Sequence, residues 1–338
     1  MRNPDFTNLL KVLKREKPSR PTLFEFFLNE RLYKKLAGED VYSRTDKLAR
    51  YRILIRSYKN AGYDYTTVQG SSFHFTKGEK HKNKSISLNE GALITDEDSY
   101  QNYIWPNADD FDYSNLEEIK RELPEGMKLV VWGPGGVLEN AIDLVGFENL
   151  CFMTYEDPEL VQKIFDQVGS RLLRYYEICS KFDTVGALIS NDDWGYNSRT
   201  MLKPADMRKY VFPWHKKIVK AIHAAGKPAI LHSCGNLIEV MDDIIYDMKY
   251  DAKHSYEDKI IPVEDAYEKW GSKIAILGGI DVNFVCTESN EEINKRCLAM
   301  IQRVSSRGGY ALGTGNSVPQ YVPDEKYFAM INSINSII

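Results

Sequence analysis

The sequence predicts a (β/α)8 barrel, and three observations carry that prediction. Short apolar runs rich in β-branched residues recur along the chain, with longer helical patterns between them. The runs are almost continuously apolar rather than alternating, as strands of a parallel sheet covered by helices must be. At 338 residues the chain has room for eight strand–helix units in one domain spanning 1–338. A doubly wound sheet is the competing architecture, but no Gly-x-Gly-x-x-Gly turn follows the first run.

The elements follow in order. Residues 1–20 form a polar amphipathic N-terminal helix rather than a signal peptide. The first strand is TLFEFF (22–27), and the helical pattern 46–62 after it closes on Gly62. The second strand is DYTTVQ (64–69). A long excursion after it, 71–126, has little periodicity until a helix at 114–123, and loops of this length over a barrel are lids or substrate walls. Further strands are KLVVWG (128–133), VGALIS (185–190), PAILHS (228–233), YDAKHS (250–255), KIAILGG (273–279) and YALGTG (310–315). Helices over 157–182, 204–226 and 289–309 lie between them; several start on Asp or Ser with acids in the first turn and stop at glycine.

Composition narrows the function. A net charge of −4, a pI near 6.0 and no Lys/Arg block exclude a nucleic-acid surface. No apolar run approaches the ~18 residues of a membrane span. Cys151, Cys179, Cys234, Cys286 and Cys297 are odd in number and irregularly spaced, so they make no disulfide framework and fit a reducing cytoplasm. Barrel-bottom helices leave room for a dimer, but no exposed stripe specifies one.

Barrel chemistry is carried at the C-terminal ends of the strands, and here those ends are polar. The first run leads to Asn29 and Glu30, the third to GPGG (133–136), the fourth to SNDDWGY (190–196) and the fifth to HSCGN (232–236). The last three lead to KHSYED (253–258), GGID (278–281) and GTGNS (313–317). In extended backbone, residues two apart point the same way, about 7 Å apart, so His232 and Cys234 can converge on one ion. An imidazole with a thiolate is the mix zinc prefers, and Gly235 lets the chain turn there. The competing reading is a packed cysteine beside a histidine that bonds a backbone carbonyl. Catalytic zinc takes a third protein ligand. Glu257 is the first choice for it and His254 the alternative, with Asp192, Asp193 and Asp281 as competitors. His74 and His81 fall in the excursion and are expected to be exposed.

HSCGN, preceded by DDWG and followed by GGID and GTGNS, resembles the uroporphyrinogen decarboxylase superfamily, which includes methylcobamide:coenzyme M methyltransferases. The likeness runs from about residue 20 to 335 and takes in NEGALITDEDSYQNYIWP (89–106), YEDPELVQKIFDQVG (155–169) and NSVPQYVPDEKYFAMI (316–331). It implies a (β/α)8 barrel of the uroporphyrinogen decarboxylase type. The decarboxylases hold their polyacidic substrate with arginines near the first strand and an aspartate after the second. Here those places read FEFFLNERL (24–32) and VQGSS (68–72), without the arginine pair or the acid. The methyltransferase branch binds zinc through a His-x-Cys, matched by His232 and Cys234, and a cysteine on the last strand, where this chain has Thr314. A glutamate from a neighbouring strand completes the zinc site of the related cobalamin-independent methionine synthases, so Glu257 or His254 could serve here.

The resemblance implies a zinc-dependent methyltransferase that activates a thiol. A small-molecule substrate and a methylcorrinoid carried by a partner protein, in methyl transfer or O-demethylation, complete the expectation. Asp192 and Asp193 are expected to orient the acceptor and Asn316 to act on the substrate. Trp194, Tyr196, Asp281 and Thr314 are expected to line its pocket, with Trp132 beside them. Two other readings compete: a metal-independent lyase acting on a smaller acid through Asp192 or Asp193, and a non-catalytic protein that binds a corrinoid or small ligand.

Overall fold

A computed structural model describes residues 2–78, 88–89 and 91–334; His81 lies outside them. Seven parallel strands run in chain order around one sheet. They are β1 (Tyr65–Gln69), β2 (Lys128–Trp132), β3 (Val185–Asn191), β4 (Ala229–His232), β5 (Ala252–His254), β6 (Ala275–Leu277) and β7 (Tyr310–Ala311). Leu129, Val130 and Val131 of β2 are wholly buried, each contributing about 1.5–3 kcal/mol by burial. Burial on both faces explains the unbroken apolar runs.

The first predicted strand, 22–27, is an extended segment joined to the ring in two different ways. On one side Leu23 bridges Leu312, with Phe24 N–H donating to Leu312 O at 2.8 Å and Leu312 N–H to Thr22 O at 2.8 Å. On the other side the side chains of β1 take its main-chain groups. The Tyr65 hydroxyl lies 2.8 Å from both Glu25 N and Glu25 O, and the Thr67 hydroxyl donates to Phe26 O at 2.7 Å. Hydroxyls replace a ladder on that side, so the TIM-barrel-like ring shows seven formal strands where the sequence predicts eight.

The helices follow their caps. Ala49–Ala61 ends at left-handed Gly62; Asp157 caps Pro158–Cys179 and Ser289 caps Asn290–Val304 through side-chain oxygens. The predicted helix 204–226 carries a wide turn at Met207–Val211, just before Pro213, which has no N–H to give. The N-terminal helix is limited to Phe6–Leu13. In the excursion, the helix predicted over 114–123 is two short turns, Asn115–Glu118 and Ile119–Arg121, and a further helix, Glu97–Asn102, is capped by Asp96. Phe73 and Tyr113 pack on Tyr175, and Trp105 under Arg171, so these parts lie against helix Pro158–Cys179. Among the described residues no helix is long and apolar enough to cross a membrane.

Candidate metal centre

Two adjacent strands set the centre. β3 ends at Asn191 and β4 at His232, which are register partners, so the residues after them leave the barrel side by side. Asp193, His232 and Cys234 each bring a ligand atom into a cluster within 4.8 Å of one another. The Cys234 N–H donates to Asp193 Oδ1 at 2.9 Å, which ties the two loops together. The tie needs glycine at 235: its φ is +86°, and a Cβ there would meet Gly195 O at 2.0 Å.

The protonation of His232 follows from its neighbours. His254 Nε2 lies 3.3 Å from Thr314 O, which can only accept, so this nitrogen carries a proton. Burial lowers the His254 pKa to about 3 and keeps the ring neutral, leaving Nδ1 as an acceptor. That Nδ1 is 2.8 Å from His232 Nδ1, which must therefore donate. Burial also holds His232 neutral, far below the usual imidazole range, so its Nε2 is left with a lone pair. This nitrogen lies 3.9 Å from Cys234 Sγ. A histidine whose far nitrogen donates to a second group is how proteins orient a metal-binding imidazole.

Cys234 Sγ has its own supports. Asn316 Nδ2 donates to it at 3.2 Å and Ser255 Oγ at 3.6 Å. Without a cation, burial and then Asp193 push its pKa up to about 12. A thiolate, a carboxylate and a neutral imidazole need a positive charge between them, and together they make a donor set that fits a divalent metal ion such as zinc. Phe26 packs on the His232 ring at 4.4 Å between centroids.

The structure moves several expected residues away from this cluster. Asp193, rather than Glu257, lies with His232 and Cys234 in the cluster, and Glu257 lines a small cavity with Lys253 and Trp270. His254 stands behind His232. Asp192 is fully buried and fully used: Leu138 N–H and Glu139 N–H donate to it at 2.9 and 3.0 Å, and it lies 2.9 Å from His215 Nε2. It thus caps helix Val137–Val145, reaching it past Gly136, where a Cβ would sit 2.0 Å from the Asp192 carboxyl carbon. Trp194, expected in the pocket, is a core side chain whose ring stands edge-on to His215 at 4.8 Å.

Thr314 is equally buried, with N–H and hydroxyl both 2.7 Å from the Glu25 carboxylate, and its hydroxyl also bonds Asn316 O. Asp281 caps Val282–Thr287 and accepts Asp258 N–H at 2.9 Å. Tyr196 is 43% exposed on the turn between Gly195 and Thr200, beside Phe147. Asn316 is at the centre, on Cys234. Trp132 packs against Phe26 and Phe27, and His74 bonds only Ser72 O on the surface.

Four residues had no place in the sequence reading. Glu25 is wholly buried and its pKa is raised to about 8 by burial. Glu139 accepts the Gly136 N–H at 2.8 Å, and burial followed by Asp192 and Asp193 raises its pKa. Lys253 and Ser255 flank His254. The available signals were a lone charge within the run TLFEFF, a lysine next to the histidine in YDAKHS, and the Gly-x-x-Glu spacing of a helix start at 136–139.

Known proteins agree with this architecture. A protein of the same barrel class, "methyltransferase from Methanosarcina mazei", superposes with a TM-score of 0.70 at 15% identity, covering 98% of each chain. A uroporphyrinogen decarboxylase from Anaeromyxobacter sp. (strain Fw109-5) is 23% identical over 275 residues, 80% of this chain and 76% of that protein. One from Citrifermentans bemidjiense is 23% identical over 193 residues, 56% of this chain and 53% of its own length. The family model described as uroporphyrinogen decarboxylase (URO-D) matches residues 94–337, from the excursion to the last helix. The chain belongs to the uroporphyrinogen decarboxylase family.

Proposed function

We propose that this protein is a zinc-dependent methyltransferase that activates a thiol acceptor and takes its methyl group from a corrinoid donor or within an O-demethylation system. The observation that carries the reading is the cluster of Asp193, His232 and Cys234, with His232 Nε2 left unprotonated by the bonds behind it. Three protein donors leave one position for an exchangeable ligand, the arrangement of catalytic rather than structural zinc. When bound, zinc supplies Lewis acidity that makes a thiol, with an ordinary pKa of about 8.5, a thiolate at neutral pH.

The chain's own residues do the rest. Asn316 and Ser255 fix the Cys234 sulfur, Asp193 fixes the Cys234 backbone, and Phe26 keeps water from one face of His232. In the overall reaction a lone pair of the acceptor sulfur forms the new S–CH3 bond. The donor–methyl bond breaks with its electron pair left on the donor, and the S–H proton is released.

The relatives named uroporphyrinogen decarboxylase support a second reading, a metal-independent lyase. The full occupation of Asp192 by two helix N–H groups and His215 weighs against that residue as its acid or base.

Metal analysis on protein purified without added metal or chelator separates the readings. The expected result is roughly one zinc per chain, absent from His232→Ala and Cys234→Ser and retained by Glu257→Gln. Protein that takes up no zinc even when it is offered sinks the methyltransferase reading and favours the lyase.

A further inference from the structure

Glu25, in the extended segment 22–27, is wholly buried with its carboxyl group turned to Thr314 beyond β7. The Thr314 N–H donates to Oε1 at 2.7 Å, and the Thr314 hydroxyl lies 2.7 Å from Oε2. That same hydroxyl is in contact with Asn316 O. Gly313 permits so close an approach, because a Cβ there would meet Phe24 O at 1.7 Å.

The place of one proton follows from these contacts. A hydroxyl has a single hydrogen, and Asn316 O can only accept. If the hydroxyl gave its hydrogen to Glu25, its oxygen would meet Asn316 O with lone pairs on both sides. The hydroxyl therefore donates to Asn316 O, and the hydrogen between Thr314 and Glu25 Oε2 belongs to Glu25. The surroundings suit a neutral acid. Tyr58 and Tyr65 reach its main chain, and Tyr63, bonded to Tyr327, stands edge-on to Tyr65. Among the described residues no lysine or arginine forms an ion pair with Glu25, and a charged carboxylate buried without one is expensive.

Thr314 is where the supports of the centre meet. Its hydroxyl holds Asn316 O, and Asn316 Nδ2 donates to Cys234 Sγ at 3.2 Å. Its carbonyl oxygen accepts from His254 Nε2 at 3.3 Å, and His254 in turn accepts from His232 at 2.8 Å. One acid thus stands behind the residues that aim two of the three clustered side chains.

We propose that Glu25 is a positioning residue of the centre: as a neutral acid it donates to Thr314, and through Thr314 it holds both Asn316 on Cys234 and His254 on His232. The inference rests on the metal-site reading for its effect on metal affinity, but the hydrogen bonds it describes do not require bound metal.

The test uses the full chain as wild type, Glu25→Gln, Glu25→Met and Thr314→Val. Glutamine offers an NH2 to the hydroxyl and an oxygen to the N–H, so it keeps both bonds, whereas methionine keeps neither. At pH 7 the infrared difference spectrum between metal-free wild type and Glu25→Gln is expected to show the C=O stretch of a protonated carboxyl group. The Asn316 side-chain amide, assigned in nitrogen-15 NMR spectra with Asn316→Asp, is expected to exchange its hydrogens about tenfold faster in Glu25→Met and Thr314→Val and at the wild-type rate in Glu25→Gln. Zinc affinity, measured by competition with a chelating dye, is expected to fall about tenfold or more in the same two variants and to be kept by Glu25→Gln.

An infrared spectrum without that band overturns the proposal, as does an Asn316 amide that exchanges alike in all four proteins. Equal losses in Glu25→Gln and Glu25→Met also overturn it. If the wild type takes no metal, the methyltransferase reading fails alone, and the infrared and exchange measurements still decide the role of Glu25. A thermal melt confirms that each variant is folded. If Glu25→Met does not fold, Thr314→Val is judged by the same measurements.

Discussion

The tips of β3 and β4 and the tips of β5 and β6 are equally rich in metal-ligand chemistry, yet among the described residues only the first pair gathers a group able to hold a metal ion. Beyond β3 and β4 stand Asp192, Asp193, His232 and Cys234; beyond β5 and β6 stand Glu257, Asp258 and Asp281, with His254 at the end of β5. In the second group Asp258, Asp281 and His254 are already engaged, and Glu257 lines a small cavity apart from the cluster. Arg296 holds Asp258 in a two-pronged ion pair at 2.7 and 2.9 Å, Asp281 caps a helix, and His254 faces His232. In the first group Asp192 is consumed in the same way, while Asp193, one residue later, keeps an oxygen in the cluster. What makes a ligand is the lone pair that local structure leaves over, more than the residue type.

The sharpest way to break this comparison is to exchange the acids' fates. Asp193→Asn is expected to lose zinc at stoichiometric concentration while Glu257→Gln keeps it; the reverse, read by metal analysis after gel filtration, would put the centre at β5.

Next in size is the structural acid. Asp192→Ala strips two helix N–H groups and His215 of their buried partner, and is expected to cost about 3–5 kcal/mol in urea unfolding. Asp281→Ala removes a half-buried cap and should cost only ~1 kcal/mol. Similar losses for the two would mean that Asp192 is not the brace described.

His254→Gln is expected to weaken zinc binding about 10–100-fold, as loss of a group that orients a metal-binding histidine does. A competition titration with a chelating dye measures it, and an unchanged affinity would remove His254 from the support of His232.

The most graded effect is that of Glu25. Its folded pKa, about 8, lies above the ordinary 4.5, so the folded state binds the proton more tightly. The stability it contributes is complete below pH 4.5 and is lost as pH rises towards 8, by at most about 1.4 kcal/mol per pH unit. Glu25→Gln should remove that slope. His254 works in the other direction: its pKa is depressed to about 3, so its contribution is present above pH 6.5 and is lost as pH falls towards 3. Unfolding measured at several pH values should show Glu25→Gln gaining on the wild type from pH 5 to pH 8.

Much of the fold was legible because periodicity and capping are local. The long helix at 158–179 announced itself by Asp157 and Pro158, and the strands by unbroken runs such as LVV. The run TLFEFF also announced an extended segment. That Tyr65 and Thr67 would take its main-chain groups depends on side chains some 40 residues away. In the site, His232 and Cys234 were legible because a spacing of two on an extended chain points both one way. Glu257 was favoured over Asp193 for its place at the tip of the neighbouring strand, and nothing in the sequence shows that Asp193 and Cys234 leave adjacent strands in register.

The sequence by itself thus determined the barrel, the strand that carries His-x-Cys and the face of the ring on which it emerges, all properties of short stretches read along the chain. The tertiary structure decided which acid joins the cluster, which nitrogen of His232 bears the proton and which oxygen the Thr314 hydroxyl turns to. Each of these depends on which hydrogen-bond partners are already taken, and partners distant in sequence meet only when the ring closes.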